Sequence, residues 1–188
     1  MNELKIPTKE ETLKTCKEMK AGPGYHALFL YLLTKRIKEF NNCKTIVEIG
    51  VDRGEAAYAM LKVIPDAKYY GFDSWKGAWK LAQPYHKDMT EELLDGFDVT
   101  LTQISSYDLK EIPMADLIHV DGDHSVEGAT HDVELVQDYL NQRGVIIVHD
   151  MIYPTVKEAI MVWYRKNKDK FNIGFYDCGN EWAVIWRK

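Results

Sequence analysis

The stretch Thr45–Glu55, TIVEIGVDRGE, constrains this chain more than any other. A short apolar run (Ile46, Val47, Ile49) carries a single acid, Glu48, and breaks at Gly50. Gly54 follows, and a helix-like run extends from Glu55 to Ile64. Strand, glycine turn, helix is the layout of a mononucleotide-binding βα unit. Gly50 permits a sharp turn and Gly54 a close approach of a ligand. The free N–H groups at the helix start then favour a carboxylate or phosphate. Glycine turns between strands and helices are common, so the rest of the chain decides how far this signal carries.

Upstream, Thr8 and Glu11 form a capping-box pattern, and the spacing predicts a helix ending near Ala21–Gly22. Gly22-Pro23-Gly24 reads as a turn, and Tyr25 to Phe40 as a second, well-buried helix. Downstream, Lys68 to Phe72 is strand-like and delivers Asp73. Ser74 to Gly96 is irregular and holds Trp75, Trp79, Tyr85 and His86; a segment this long between strands is usually part helix and part functional loop. Phe97 to Ile104 alternates as a third strand, and Ala115 to Val120 reads as a fourth, ending in Asp121-Gly122-Asp123-His124. Ser125 caps a helix in which Val126, Ala129, Val133, Val136 and Leu140 recur at helical spacing, with Gly144 expected to close it. Val145 to Val148 is a fully apolar fifth strand delivering His149-Asp150. Pro154 to Lys166 reads as a helix, and Phe171–Tyr176 with Trp182–Trp186 as a closing hairpin.

Apolar strands alternating with helices imply an α/β fold: a doubly wound, mostly parallel, Rossmann-like sheet of seven strands with an antiparallel strand in its C-terminal hairpin. Residues 1–42 are expected to form a helical cap and residues 43–188 the Rossmann-like domain. Ligands of such sheets bind beyond the carboxyl ends of the strands, where Glu48/Gly50, Asp73, Gln103/Ser105, Asp121/His124 and His149/Asp150 fall.

Composition narrows the classes. A net charge of −5 implies no basic face for nucleic acid. The three cysteines, Cys16, Cys43 and Cys178, share no metal or redox spacing and suit free thiols in a reducing compartment. The charged start MNELKIPTKEE is unlike a secretory leader, and the longest apolar run, Ala27 to Leu33, is too short to span a bilayer. A cytoplasmic protein with no membrane partner is the expectation. The N-terminal helices suit either a lid that includes His26 or a homodimer face.

With these residues in view, the chain resembles the class I S-adenosylmethionine-dependent methyltransferases from about Thr45 to Lys188. Glu48, Ile49, Gly50 and Gly54 resemble that family's first motif, and Asp73 falls where the family keeps an acid for the ribose hydroxyls. DLIHVDGDHS followed by GVIIVHD is similar to the branch of metal-assisted small-molecule O-methyltransferases that includes catechol-type and macrolide-sugar enzymes. The resemblance implies S-adenosylmethionine as cofactor, bound by Glu48, Gly50, Gly54, Asp73, Ser74, Trp75, Ser105 and Asp121. It implies a divalent ion, magnesium or another, held by Asp121 and Asp150 with His149 as a further ligand, and His124 as the base that takes the proton of a small-molecule acceptor. Two positions depart from the family's pattern. Asp52 stands where a further glycine is common, which narrows the room beside the methionyl part of the cofactor. Met151 and His149 flank Asp150 where an Asn or Glu usually completes the metal site.

Plainer readings stay open at each position: structural turns for Gly50 and Gly54, a solvated acid for Asp73, a paired buried acid for Glu48, and a helix-start acid for Asp121 or Asp123. Trp75 and Trp79 suit packing as well as adenine stacking, and His119 and His149 suit satisfied structural histidines. Two other functions also stay open. One is a nicotinamide-dependent oxidoreductase, which the G-x-x-x-G spacing disfavours. The other is a non-catalytic nucleoside-binding relative.

Overall fold

The computed structural model describes residues 4–19, 25–76, 85–178 and 180–188. Trp79 lies outside these residues, as does the side chain of His26. Seven strands form one sheet in the order β3-β2-β1-β4-β5-β7-β6. They are β1 (Thr45–Ile49), β2 (Lys68–Asp73), β3 (Val99–Gln103), β4 (Ala115–Val120), β5 (Leu140–Val148), β6 (Phe171–Cys178) and β7 (Asn180–Arg187). Strands β1 to β5 run parallel, β7 pairs antiparallel with β5, and β6 pairs antiparallel with β7. Only β7 is therefore reversed, as the doubly wound expectation requires.

Alternation along the strands divides the core into two layers. Ile46, Leu117, Val145, Ile147 and Val184 face α2 (Tyr25–Asn41) and α3 (Glu55–Leu61), meeting Phe29, Leu30, Leu33, Ile37 and Met60. Val47, Ile49, Ile118, Val120, Ile146, Val148 and Ile185 face α5 (Val126–Gln137) and α6 (Pro154–Asn167), meeting Val133, Val136, Ile160 and Trp163. Helix α2 thus builds one wall of the sheet's own core. Helix α1 (Lys9–Met19) opens with the expected capping box: Thr8 N donates to Glu11 Oε2 at 2.8 Å and Glu11 N to Thr8 Oγ1 at 3.1 Å. Among the described residues no helix is long and apolar enough to cross a membrane.

The boundary between α5 and β5 differs most from the sequence reading, and α3, β3, β6 and β7 end within about three residues of it. Leu140 opens β5 instead of extending α5, and Gly144 lies inside the strand instead of closing a helix. The register shifts between Ala115↔Leu140 and Leu117↔Val145, so residues 141–144 form an irregularity in the ladder. Asn141 Nδ2 donates to Asp116 Oδ1 at 2.7 Å there, and a side chain at Gly144 would strike Leu140. The 3.6-residue recurrence of Leu140 is accidental; its burial comes from the sheet.

The sheet order reverses at β1, which pairs with β2 on one side and β4 on the other. In open α/β sheets the crevice at such a reversal is where ligands bind.

Candidate functional site

Three left-handed residues shape the turn after β1: Gly50 at φ 86°, Asp52 at φ 46° and Gly54 at φ 77°. Gly50 N donates to Phe72 O at 2.9 Å, and Asp121 N donates to Ile49 O at 2.8 Å, so the ends of β2 and β4 close on the turn from both sides. A Cβ on Gly50 would stand 2.0 Å from the Asp121 carbonyl oxygen. The glycine is thus demanded by the neighbouring strand end as well as by its φ. Asp52, at the departure from the glycine pattern, still adopts the left-handed conformation, which Asp tolerates better than most residues.

Asp73 at the end of β2 grips this turn. Its Oδ2 accepts from Val51 N at 2.8 Å and Asp52 N at 2.9 Å, and its Oδ1 accepts from Trp75 N at 2.6 Å. A carboxylate offers about four lone-pair positions. Among the described residues Oδ2 is filled and Oδ1 retains one. Trp75 is fully buried, with its indole N–H donating to Asp52 O at 2.8 Å, so it packs beneath the turn. Ser74 flanks Asp73, and its carbonyl accepts from Gln103 Nε2 at 3.0 Å. Ser105 follows β3 and caps a short 3₁₀ turn, Ser106–Asp108.

Glu48 sits one layer below, with no exposure. Its Oε1 meets His119 Nδ1 at 2.6 Å and its Oε2 accepts from the Tyr69 hydroxyl. His119 is the register partner of Glu48 in β4, whereas Tyr69 reaches Glu48 from β2 two residues before the partner position. Gly71 stands opposite Glu48 in β2, and a Cβ there would come 2.9 Å from the Tyr69 ring, so the missing side chain makes room for it. Burial works against a charged His119, but the bond and charge of Glu48, with Asp121 and Asp150 beyond, hold its pKa above the ordinary imidazole value. The Tyr69 hydroxyl is pushed well up, by burial first and then by Glu48.

Four titratable groups gather at the ends of β4 and β5. Asp121 Oδ2 meets His149 Nδ1 at 3.0 Å; His124 Nε2 lies 3.3 Å from Asp150 Oδ2 and 3.7 Å from Asp121 Oδ1. Asp121, His124 and Asp150 each offer a ligand atom, all within 4.8 Å of one another, and each residue is half-buried. Two carboxylates and an imidazole suit a divalent cation. Both histidines lie against the two acids. His124 Nε2 groups with one oxygen of each acid, and His149 also reaches both acids, Asp121 through Nδ1 and Asp150 through Nε2 at 3.7 Å, while lying against Trp182, ring centroids 4.2 Å apart. Burial opposes the charge on Asp121, but contacts with His124 and His149 outweigh it and hold its pKa far below the ordinary carboxylate value. His124 moves the other way: its contact with Asp121 raises it, against burial and with the help of Asp150.

Asp123 takes no part in this cluster. Its carboxylate accepts from Ser125 N at 2.9 Å and from Ser125 Oγ at 3.0 Å, and Ser125 in turn caps α5 at Gly128 N. Tyr153 stacks on His124 with ring centroids 4.9 Å apart and, with Ile152, presents exposed apolar surface at the rim.

The sequence reading gave no role to one side of the site. Helix α4 (Tyr85–Leu93) packs on the turn after β1 through His86 and Thr90. Their i, i+4 spacing is the only trace of this in the sequence, and it is indistinguishable there from ordinary helix amphipathicity.

A family profile described as a methyltransferase domain matches residues 47–151, more than half of the chain and the whole span from the turn after β1 to the end of β5. No curated protein matches the sequence significantly. Solved structures with the same fold include an O-methyltransferase from Bacillus cereus in complex with SAH, with TM-score 0.66 and 14% identity over 97% of this chain and 93% of that one. A methyltransferase of Podospora anserina bound to SAH gives TM-score 0.67 and 15% identity over 96% and 86%. An O-methyltransferase from Streptomyces achromogenes, involved in tomaymycin synthesis and solved with SAM, gives TM-score 0.66 and 10% identity over 96% and 89%. The fold is the one these methyltransferase structures share. The chain belongs to the methyltransferase-domain family that matches it.

Proposed function

We propose that this protein methylates a hydroxyl of a small-molecule acceptor at the point where Asp121, His124 and Asp150 converge. The convergence of these three donors within 4.8 Å, beside the turn after β1, is the observation that supports the reading. Methyl transfer from a sulfonium is an in-line displacement, and alignment of the two reactants alone supplies about 7–11 kcal/mol of the barrier. The remaining task is removal of the hydroxyl proton.

In this reading the remaining lone pair of Asp73 Oδ1 receives a ribose hydroxyl, while Ser74, Ser105, Asp121 and the turn Gly50–Gly54 flank the nucleoside. Glu48 and Trp75, both fully buried, act by holding the strand ends in place. Asp121 and Asp150 would hold a divalent ion, with His124 Nε2 as a third donor, and His149 would orient Asp121. A bound divalent ion supplies a lowered pKa for the acceptor hydroxyl.

A second reading follows from the position of His124 Nε2 between two carboxylates, with its pKa raised. Such an imidazole takes the acceptor proton itself, without an ion.

Calorimetry with S-adenosylmethionine and S-adenosylhomocysteine tests the cofactor, and absence of binding for both at millimolar concentration ends the proposal. A panel of catechol, phenol and sugar acceptors, assayed with and without chelator, then separates the two readings. Loss of turnover in chelator supports the ion. Turnover that survives chelator and disappears in His124→Gln supports the imidazole base. Tight S-adenosylhomocysteine binding without turnover on any acceptor supports a non-catalytic nucleoside-binding role instead.

A further inference from the structure

We infer that Asp52 and His86 are positioning residues for the cofactor turn, through which helix α4 fixes the left-handed path of residues 50–54. This inference rests on the cofactor reading above. Asp52 uses each of its polar groups. Its N–H donates to Asp73 Oδ2 at 2.9 Å, and its carbonyl accepts from Trp75 Nε1 at 2.8 Å and from Thr90 Oγ1 at 2.9 Å. Its Oδ1 meets His86 Nδ1 at 2.6 Å. The Asp52 side chain is 58% exposed, whereas that of His86 is 2% exposed.

That asymmetry separates this contact from an ordinary turn acid. A solvated carboxylate has water for its partners and needs no imidazole. Losing the contact therefore costs the buried imidazole more than the exposed carboxylate, which water resolvates. Leu94, just past the end of α4, has no exposure and anchors the helix, and Thr90 Cγ2 fills the space a Gly54 side chain would need, 2.8 Å from its Cβ position. Helix α4 therefore touches the turn at Asp52 and at Gly54, its centre and its end.

The turn needs such a brace. Gly50, Asp52 and Gly54 are all left-handed, a conformation that glycine enters from a large unfolded ensemble and that Asp enters at some cost. A turn held in its binding shape beforehand loses less conformational freedom when the ligand arrives, and affinity rises accordingly. Asp52, where the resembled motif often has glycine, gives up backbone freedom and gains a side-chain tether to α4. That helix comes from the segment between β2 and β3, outside the βα unit, so the tether joins two segments far apart in the chain.

Hydrogen exchange of the amides of residues 51–54 in the ligand-free protein tests the tether, and calorimetric affinity for S-adenosylhomocysteine tests its consequence. His86→Ala and Asp52→Ala are expected to speed exchange in the turn and to weaken S-adenosylhomocysteine by about tenfold or more. Asp52→Asn tolerates the left-handed conformation, accepts from the imidazole N–H, and is expected to stay close to wild type. Thr90→Val keeps the methyl contact with Gly54 and removes one bond to Asp52 O, so it gives a smaller change of the same sign and serves if His86→Ala does not fold. A purely structural latch lowers the melting temperature only. Turn exchange and affinity that stay within about twofold of wild type, measured well below melting, overturn the inference. If wild type binds no S-adenosylhomocysteine, the proposed function falls, while the exchange measurement still decides whether α4 braces the turn.

Discussion

Glu48 Oε1 and His119 Nδ1 meet at 2.6 Å between two adjacent strands, with both side chains 1% exposed. Tyr69 completes the row from β2. Truncating one member leaves the others buried without partners, a change that typically costs about 3–5 kcal/mol. Glu48→Ala is therefore expected to lose about that much in urea unfolding, and Glu48→Gln, which keeps an acceptor for one neighbour, distinctly less. Equal stability of wild type and Glu48→Ala would show that water reaches the row.

Gly50 and Gly96 provide an internal comparison. Both have a φ near 87°, at 86° and 87°, but a Cβ on Gly96 meets nothing within 4 Å while one on Gly50 meets the Asp121 carbonyl oxygen at 2.0 Å. Gly96→Ala is expected to cost about 1–2 kcal/mol, the left-handed penalty alone. Gly50→Ala must also push β4 away from the turn, and a loss above about 4 kcal/mol or failure to fold is expected. Thermal unfolding of the two variants side by side checks the difference.

Removing the carboxylate of Asp73 withdraws an acceptor from three backbone N–H groups as well as from the proposed ribose contact. Hydrogen bonds to charged groups contribute about 1.5–3 kcal/mol. Asp73→Ala is expected to weaken S-adenosylhomocysteine by about 10- to 100-fold in calorimetry. Asp73→Asn retains one oxygen and should lose less. An unchanged affinity in Asp73→Ala removes the nucleoside from this edge of the sheet.

Cys43 carries a pH signature. Burial first, and the charge of Asp116 second, push its thiol pKa from 9.0 up to about 12. The folded protein thus binds this proton more tightly than the unfolded chain does. Its contribution to stability is complete below pH 9 and is lost as the pH rises towards 12. Over that range the slope approaches about 1.4 kcal/mol per pH unit. Urea unfolding of wild type and Cys43→Ala at about pH 8 and about pH 10 should show a steeper fall for wild type. Parallel slopes refute the assignment.

The local part of the fold was already written in the sequence. The capping box at Thr8/Glu11, the apolar strands, and the turn Gly50–Gly54 depend on neighbours a few residues away, and periodicity reports such neighbours directly. The acids at the strand ends were legible too, because a parallel sheet delivers every strand end to one edge. Leu140 and Gly144 were misread because local recurrence cannot register the pairing of Leu140 with Ala115 and of Val145 with Leu117, partners more than twenty residues upstream. Only the tertiary structure decided which partners the polar residues take. It tied Glu48 to His119 and Tyr69, brought both His124 and His149 against Asp121 and Asp150, bound Asp123 to Ser125, and brought His86 onto Asp52. A side chain's partner depends on distances of a few ångströms between segments far apart in the chain, and no spacing within one segment encodes them.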